Sequence, residues 1–408
     1  MAESLIPSAH AAPSSPNTAP RPVRAAAGAL TTTVAVSIPV FLVGGLAVQI
    51  GDELRFSPAG LGLAVSAYFG ASALASVPAG ALVERYGSTR VSRYGIGLAA
   101  VSLLGIAEAA RSLWSLIAIM ALGAGANAAG QLASNTSLAR HVPPRRQGLS
   151  FGVKQAAIPV STLLAGAAVP AVALTLGWRW AFVLAAVLAC AAIVVVPAEH
   201  DEEKRSRGGG GERATGALVV IGVAATLAAG AANALGTFLV DSAVTRGIPP
   251  GPAGLALTLG GAVCVVARLA GGWQADLRPH RQVGMIAALL VCGAAGLILL
   301  AVPGTLALIA GVVLGFGLGW SWPGLLNFAV VRLHPQAPAA ATSITQTGVY
   351  AGGCVGPLGL GALATAAGYP AMWTVAAVAM VLAGVLMLGG NALLRRRVSA
   401  WVSSSGQR

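Results

Sequence analysis

The chain has 408 residues, of which 56% are hydrophobic and 9% charged, with a mean hydropathy of +0.79. A soluble chain carries roughly 25% charged residues, so this one cannot clothe a water-facing surface and reads as a polytopic membrane protein. Its net charge of +13 does not point to a nucleic-acid partner, because the 25 basic residues are scattered between apolar runs rather than gathered into a patch.

Residues 1–27 are rich in Pro, Ala and Ser, the composition of a disordered tail, with Arg21 and Arg24 just ahead of the first apolar run. That run is of full spanning length, which argues against a cleaved signal peptide. Apolar segments follow at about 28–50, 59–83, 91–110, 113–138, 149–175 and 179–197. After a polar gap come six more, at about 217–240, 252–276, 283–302, 305–331, 338–366 and 371–393. Each can cross a hydrocarbon core of roughly 30 Å at about 1.5 Å per residue. The gap at 198–216, AEHDEEKRSRGGGGERATG, is a charged, glycine-rich, flexible linker rather than a domain. The sequence therefore predicts an all-α integral membrane protein of twelve transmembrane helices. It has a six-helix half over 28–197, a linker over 198–216, a second half over 217–393 and a short tail over 394–408.

With the N-terminus inside, 19 of the 25 basic residues fall in cytoplasmic segments. Four (Arg55, Arg111, Arg179, Arg246) fall outside, and two (Lys154, Arg268) lie within spans. That bias places both termini and the linker in the cytoplasm, and the protein in a cell membrane, a bacterial inner membrane on this reading. Cys190, Cys264, Cys292 and Cys354 each sit alone in a different apolar run. The histidines (His10, His141, His200, His280, His334) fall in connectors or the N-terminal tail. No metal or redox motif results, and no nucleophile has a visible base. Neither an enzyme nor a cofactor is expected.

The two halves repeat. Gly80 and Glu84 end the second span as Gly272 and Asp276 end the eighth, and Gly123, Gly125 and Asn135 match Gly315, Gly317 and Asn327. Gln155 and Gly177 match Gln346 and Gly368, all at a shift of 191 or 192. Six spans per half give both copies one orientation, as in transporters whose site lies between parallel repeats.

These residues resemble the major facilitator superfamily. Its loop signature between spans two and three is Gly, three residues, Asp-Arg, one residue, Gly, then basic residues. Here Gly80-Ala-Leu-Val-Glu84-Arg85-Tyr-Gly87-Ser-Thr-Arg90 fits, with Glu for Asp and Ser88 where a basic residue is usual. A less regular second copy runs through Gly272, Asp276, Arg278 and Arg281, and the Gly177-Trp178-Arg179-Trp180 turn is also similar to the family. The resemblance covers 28–393 and implies a cytoplasmic gate latch. Gly80 and Gly272 would permit close helix packing, while Glu84, Arg85, Arg90 and Asp276 would form the charge cluster, with Gly87 and Arg278 completing the two signatures.

Lys154 and Arg268 are the strongly charged residues well inside spans, and a buried cation is a functional candidate by default. Arg268 precedes Asp276 by eight residues, about 12 Å along a helix, on the same side as Gly272. The resemblance implies that spans five and eight face each other, so the two cations would share an anion-attracting cavity. Carriers of monocarboxylates and oxalate in this superfamily place a substrate-binding arginine four residues before the glycine of span eight, the spacing of Arg268 and Gly272. Other readings stay open: Arg268 could hold a carbonyl or Asp276, and Lys154 could snorkel to the headgroups. Asn127, Gln155, Asn233, Trp320, Asn327, Gln346 and Tyr350 flank the expected cavity, although amides also join helices. The Trp320-Ser321-Trp322-Pro323-Gly324 run breaks span ten and leaves a carbonyl unpaired; Pro39, Pro159 and Pro357 offer comparable kinks.

No Asp or Glu lies near mid-span, since Glu108 and Asp241 are close to the outer ends, and span five lacks the glycine-proline signature of drug–proton antiporters. The sequence thus favours a secondary active or facilitated transporter, working by alternating access, for a small organic or inorganic anion. The alternatives are efflux of lipophilic drugs or cations, and a non-transporting membrane sensor. The expected partners are a small-molecule solute, the lipid bilayer and a coupling proton or counter-anion, with the protein as a monomer.

Overall fold

In lipid no backbone group can turn to water, so every apolar run must close its own hydrogen bonds as a helix. The computed structural model describes residues 22–142, 147–196, 215–277, 282–333 and 338–405, and among them no strand occurs. Span one is Pro22–Gly45, followed by a short helix, Ala47–Leu54. Spans two to four are Pro58–Tyr86, Ser88–Ala109 and Leu113–His141. Span five, Gln147–Ala168, is prolonged by a π turn at Val169–Ala173, and span six is Trp178–Ala192 with a 3-10 turn at Ile193–Val195. Spans seven to nine are Thr215–Val244, Pro250–Leu277 and Gln282–Ala301. Span ten is interrupted: Thr305–Leu314, a π turn at Gly315–Gly319, then Pro323–Leu333. The last helix, Pro338–Ser405, is parted at Gly368 (φ 82°) into spans eleven and twelve.

Among the described residues eleven helices are long and apolar enough to cross a membrane, and the last of these, Ile344–Leu393, holds the Gly368 break, making twelve crossings. The first helix starts at Pro22, ahead of the expected boundary at 28, and the last runs on through Ser405 past 393. Arginine is a good helix former, so Arg395–Arg397 prolong a helix that hydropathy alone would end. The expected linker lies almost wholly outside the described residues.

The repeat is visible in the turns. Arg55 (φ 56°) and Gly247 (φ 84°) precede the proline-initiated spans two and eight, and Gly177 (φ 96°) and Gly368 (φ 82°) precede spans six and twelve. Both pairs keep the shift of the sequence repeat, so the two copies share their left-handed turn geometry. Among the described residues Arg55 alone adopts it without being glycine.

Polarity is inverted relative to a soluble protein. Leu74 and Val77 are 82% exposed, whereas Lys154 and Arg268 are 2% exposed. Small residues set the helix spacing: a Cβ at Gly352 would overlap the Thr226 carbonyl of span seven, and one at Gly261 would lie 2.7 Å from the Pro159 carbonyl of span five. The halves meet along two seams. Spans five and eight touch along their length, with Gly254 against Gly166 near one end and Gly272 against Gly148 and Gly152 near the other. Spans two and eleven meet where the Ala59 N–H donates to Thr365 Oγ1 at 3.0 Å and the Ser66 hydroxyl to the Cys354 carbonyl. We call the face where span one begins the start face; the Ala59–Thr365 contact lies at the opposite face.

At the opposite face Glu53 fastens the short helix to its half. Arg179 Nη2 donates to Glu53 Oε1 at 2.6 Å and Trp178 Nε1 to Oε2 at 2.7 Å. The same guanidinium reaches the carbonyls of Ala107 at 2.6 Å and Ala110 at 3.0 Å, and lies 4.3 Å from the Trp178 ring centroid. The pair is partly exposed, so its net contribution is modest.

Two outcomes are expected. Gly352→Val should lower the thermal stability of the purified protein by about 1–3 kcal/mol through overpacking. Gly359→Val, where a Cβ meets nothing within 4 Å, should stay within about 0.5 kcal/mol. The second concerns Glu53. The Arg179 bond, helped by Trp178, holds its carboxyl below the ordinary 4.5. Such a carboxylate lends stability above its unfolded pKa and loses it as pH falls through the folded value. Melting curves below about pH 5 should therefore show an acid-side loss that Glu53→Gln reduces; identical curves would remove Glu53 from that loss.

Candidate functional site

Polar side chains are costly in a membrane interior, so their convergence marks helix glue or a solute path. They converge at the centre. A cavity of about 70 Å³ lies between the halves. From the first half it is lined by Ser37, Phe41, Tyr68, Phe69, Asn127, Gln131 and Gln155 among others. From the second come Asn233, Arg268, Trp320, Trp322, Asn327, Gln346 and Tyr350. All seven neutral residues singled out in the sequence thus share one cavity with Arg268, and its lining holds no carboxylate.

Two helix defects hold Arg268 in place. Pro159 has no N–H, so the carbonyl of Gln155, four residues earlier, lacks its helical donor; Arg268 Nη1 donates to that carbonyl. The break of span ten frees the Trp320 carbonyl, which accepts from Arg268 Nε at 3.1 Å and Nη2 at 2.8 Å. Cys264, one turn earlier on span eight, directs its thiol to the same carbonyl at 3.6 Å. The Trp320 ring packs on Phe41 and Phe316, with centroids 5.7 and 5.5 Å apart. Of the two structural readings open for Arg268, the carbonyl one is realised and the Asp276 one is not. Carbonyls engage three of the five guanidinium N–H groups, and the Cys264 thiol lies against the same guanidinium.

Lys154 departs from both expectations. It is buried, so it does not snorkel, and it is absent from the cavity wall. Its Nζ donates to Gln131 Oε1, and Gln131 in turn donates Nε2 to Ser37 Oγ at 3.5 Å. Adjacent helical residues point about 100° apart, so with Gln155 in the cavity, Lys154 stands behind it. Gln131, which sequence reasoning missed, takes its place in the wall. The signal was present: Gln131 follows Asn127 by one helical turn and shares its face. Trp322 was read as part of a helix break, whereas its indole is fully buried at the cavity.

The amides divide into spent and unspent groups. Asn127 Nδ2 donates to Ser72 Oγ at 3.1 Å, Asn233 Nδ2 to the Ala229 carbonyl at 2.8 Å, and Gln346 bonds Tyr350. Gln155 Oε1 and Trp322 Nε1 are buried without a protein partner.

The charge cluster expected of Glu84, Arg85, Arg90 and Asp276 does not assemble among the described residues; Asp276 meets backbone instead. Asp276 Oδ1 accepts from the Gly148 N–H and Oδ2 from the Leu149 N–H, both at 3.0 Å. A carboxylate of one half thus caps the first turn of a helix of the other, where orphan N–H groups and the helix dipole favour it. Gly272 permits the approach, since a Cβ there would lie 2.9 Å from the Gly148 carbonyl. Gly80 does not play the matching part: a Cβ there would meet nothing within 4 Å, because the contacts described between spans two and eleven lie nearer the opposite face. Glu84, Arg85 and Arg90 are exposed, and Arg85 stacks 5.3 Å from the Tyr86 ring centroid. Gly87 (φ 83°) makes the turn between spans two and three. Arg278 lies outside the described residues.

Comparison with known proteins now adds to the geometry. A family model described as Major Facilitator Superfamily matches residues 27–357 and 221–407. The chain is similar to the crystal structure of the human organic anion transporter MFSD10 (TETRAN), at 16% identity and TM-score 0.65, over 90% of this chain and 98% of that one. It is also similar to a bacterial homologue of the human lysosomal transporter Spinster, in an inward-facing and unoccupied conformation. That match has 13% identity and TM-score 0.68, over 93% of this chain and 97% of the other. No curated protein matches in sequence.

Asp276→Asn should leave one oxygen to serve two N–H groups and remove the charge, a loss of about 1 kcal/mol. Cysteines placed at the start-face ends of spans five and eight should then label faster. Unchanged labelling would leave Asp276 as a passive helix end.

Proposed function

We propose that this chain, which belongs to the major facilitator superfamily and is a multi-pass transmembrane transporter of small solutes, carries a small organic or inorganic anion through its central cavity by alternating access. The observation that carries the reading is Arg268: a buried cation with N–H groups that no carbonyl takes, in a cavity with no carboxylate among its described lining residues. A guanidinium binds a carboxylate through paired N–H groups, and the surrounding low dielectric strengthens the attraction. Lys154 backs the wall from behind Gln131, to which it donates. The structural likeness to the human organic anion transporter MFSD10 is consistent with this reading.

With the start face cytoplasmic on this proposal, the contacts at the opposite face, Ala59–Thr365 between spans two and eleven and Gly166–Gly254 between five and eight, would close the extracellular side. The Asp276 cap would be a cytoplasmic fastening between the halves. The distribution of basic residues supports both termini in the cytoplasm of a bacterial inner membrane, and the transporter acts as a monomer on this proposal. A second reading has one observation in its favour. The rings of Phe41, Tyr68, Phe69 and Trp322 beside the cavity would suit a lipophilic solute. Arg268 repels such a solute when it is cationic.

Uptake by reconstituted vesicles, measured with carboxylates, inorganic anions and cationic dyes, separates the two. Arg268→Lys keeps the charge and loses the fork, so anion transport should fall at least about tenfold, more than net charge alone implies. Normal anion transport by a monodisperse Arg268→Gln protein would overturn the anion reading.

A further inference from the structure

Gln155 Oε1 is a strong acceptor that is 6% exposed as a residue and accepts no hydrogen bond from any described group. Trp322 is fully buried and its Nε1–H has no acceptor among the described residues. Most buried polar groups in folded proteins are satisfied, so two orphans in the wall of one cavity call for an explanation. They belong to a single cluster. Arg268 donates to the backbone of Gln155 and of Trp320, and the Cβ of Gln155 lies 3.7 Å from the Cβ position of Gly324, two residues beyond Trp322. The cluster therefore offers one buried free acceptor beside donors on the Arg268 cation, the Trp322 indole and the Gln155 amide nitrogen.

Resting on the anion reading above, we infer that the transported solute is a small carboxylate that carries its own uncharged hydrogen-bond donor, a hydroxyl or an amide N–H, beside the charge. The carboxylate oxygens take the remaining Arg268 N–H groups and the Trp322 indole N–H. The solute's donor meets Gln155 Oε1. A simple carboxylate or inorganic anion lacking a donor satisfies the first set and leaves Gln155 Oε1 buried and unmet, which weakens binding. An ammonium donor fails for the opposite reason. It brings a further positive charge beside Arg268, with Lys154 close behind, and the lining offers no carboxylate to offset it. A cavity of about 70 Å³ keeps the class small.

The test compares three probes of equal carbon count on the unaltered, full-length protein in vesicles: a 2-hydroxycarboxylate, its unsubstituted counterpart and its 2-amino counterpart. Each competes against uptake of the labelled 2-hydroxycarboxylate. The expected result is a preference of about tenfold or more, or about 1.4 kcal/mol, for the hydroxy compound over both others. Gln155→Leu should bring the hydroxy and unsubstituted compounds to within about twofold, while Trp322→Phe should weaken both together. Equal competition by hydroxy and unsubstituted compounds would overturn this inference and leave the anion reading standing. Preference for the amino compound would overturn it as well. Saturable transport of cationic dyes, with no uptake of any carboxylate, would overturn the anion reading itself. The probe comparison needs no substitution, so a Gln155 variant that fails to fold does not shield the inference.

Discussion

A full positive charge 2% exposed inside a membrane protein must be solvated by something, and here the solvent is backbone. Arg268 takes the Gln155 carbonyl that Pro159 strips of its helical donor and the Trp320 carbonyl that the break of span ten releases. Each defect would be unfavourable alone: an orphan carbonyl in low dielectric, an unpaired guanidinium. Together they satisfy one another. The bonds also tie span eight to span five of the other half and to the hinge of span ten. Two prolines and one arginine thereby fix the geometry of the cavity.

The duplicated halves supply scaffold more than chemistry. Turn geometry repeats at Arg55 and Gly247 and at Gly177 and Gly368, and the glutamines Gln155 and Gln346 both line the cavity. The groups that give the site its character do not repeat. At the same shift Arg268 corresponds to Ser76, Trp320 to Ala128 and Pro323 to Gln131. The site is therefore lopsided: both halves contribute amides, but only the second contributes a cation and a broken helix to the lining. A symmetric pair of halves can share their packing, but a solute with a charged end and an uncharged end needs an asymmetric wall.

Much of this was legible in the sequence because lipid makes polar residues conspicuous. Seven neutral residues in apolar runs were enough to outline the cavity, and the apolar runs themselves gave the twelve crossings. What escaped was direction. Lys154 and Gln155 are neighbours, and hydropathy cannot say which of two adjacent polar residues faces inward. Packing against spans four and eight decides it. The partner of Asp276 was equally hidden, because the N–H groups of Gly148 and Leu149 belong to the backbone and carry no side-chain signature. The hold on Gln155 was closer to reach: Pro159 stands four residues after it, which alone identifies the orphan carbonyl.

Span eight carries both the central cation Arg268 and the capping carboxylate Asp276, eight residues apart, about 12 Å along the helix. Its seam with span five is pinned at three depths: Gly254 on Gly166, Arg268 on the Gln155 carbonyl, and Asp276 on the Gly148 and Leu149 N–H groups. The seam between spans two and eleven is different. Its described hydrogen bonds, Ala59 to Thr365 and Ser66 to Cys354, reach from the opposite face toward the cavity, and among the described residues nothing lies within 4 Å of a Cβ at Gly80. The two seams are sequence repeats of each other and yet are unequally fastened in this state. The inequality follows from charge. An aspartate on a helix N-terminus and an arginine on two stripped carbonyls are charge-assisted bonds in low dielectric, whereas the other seam relies on neutral hydroxyls.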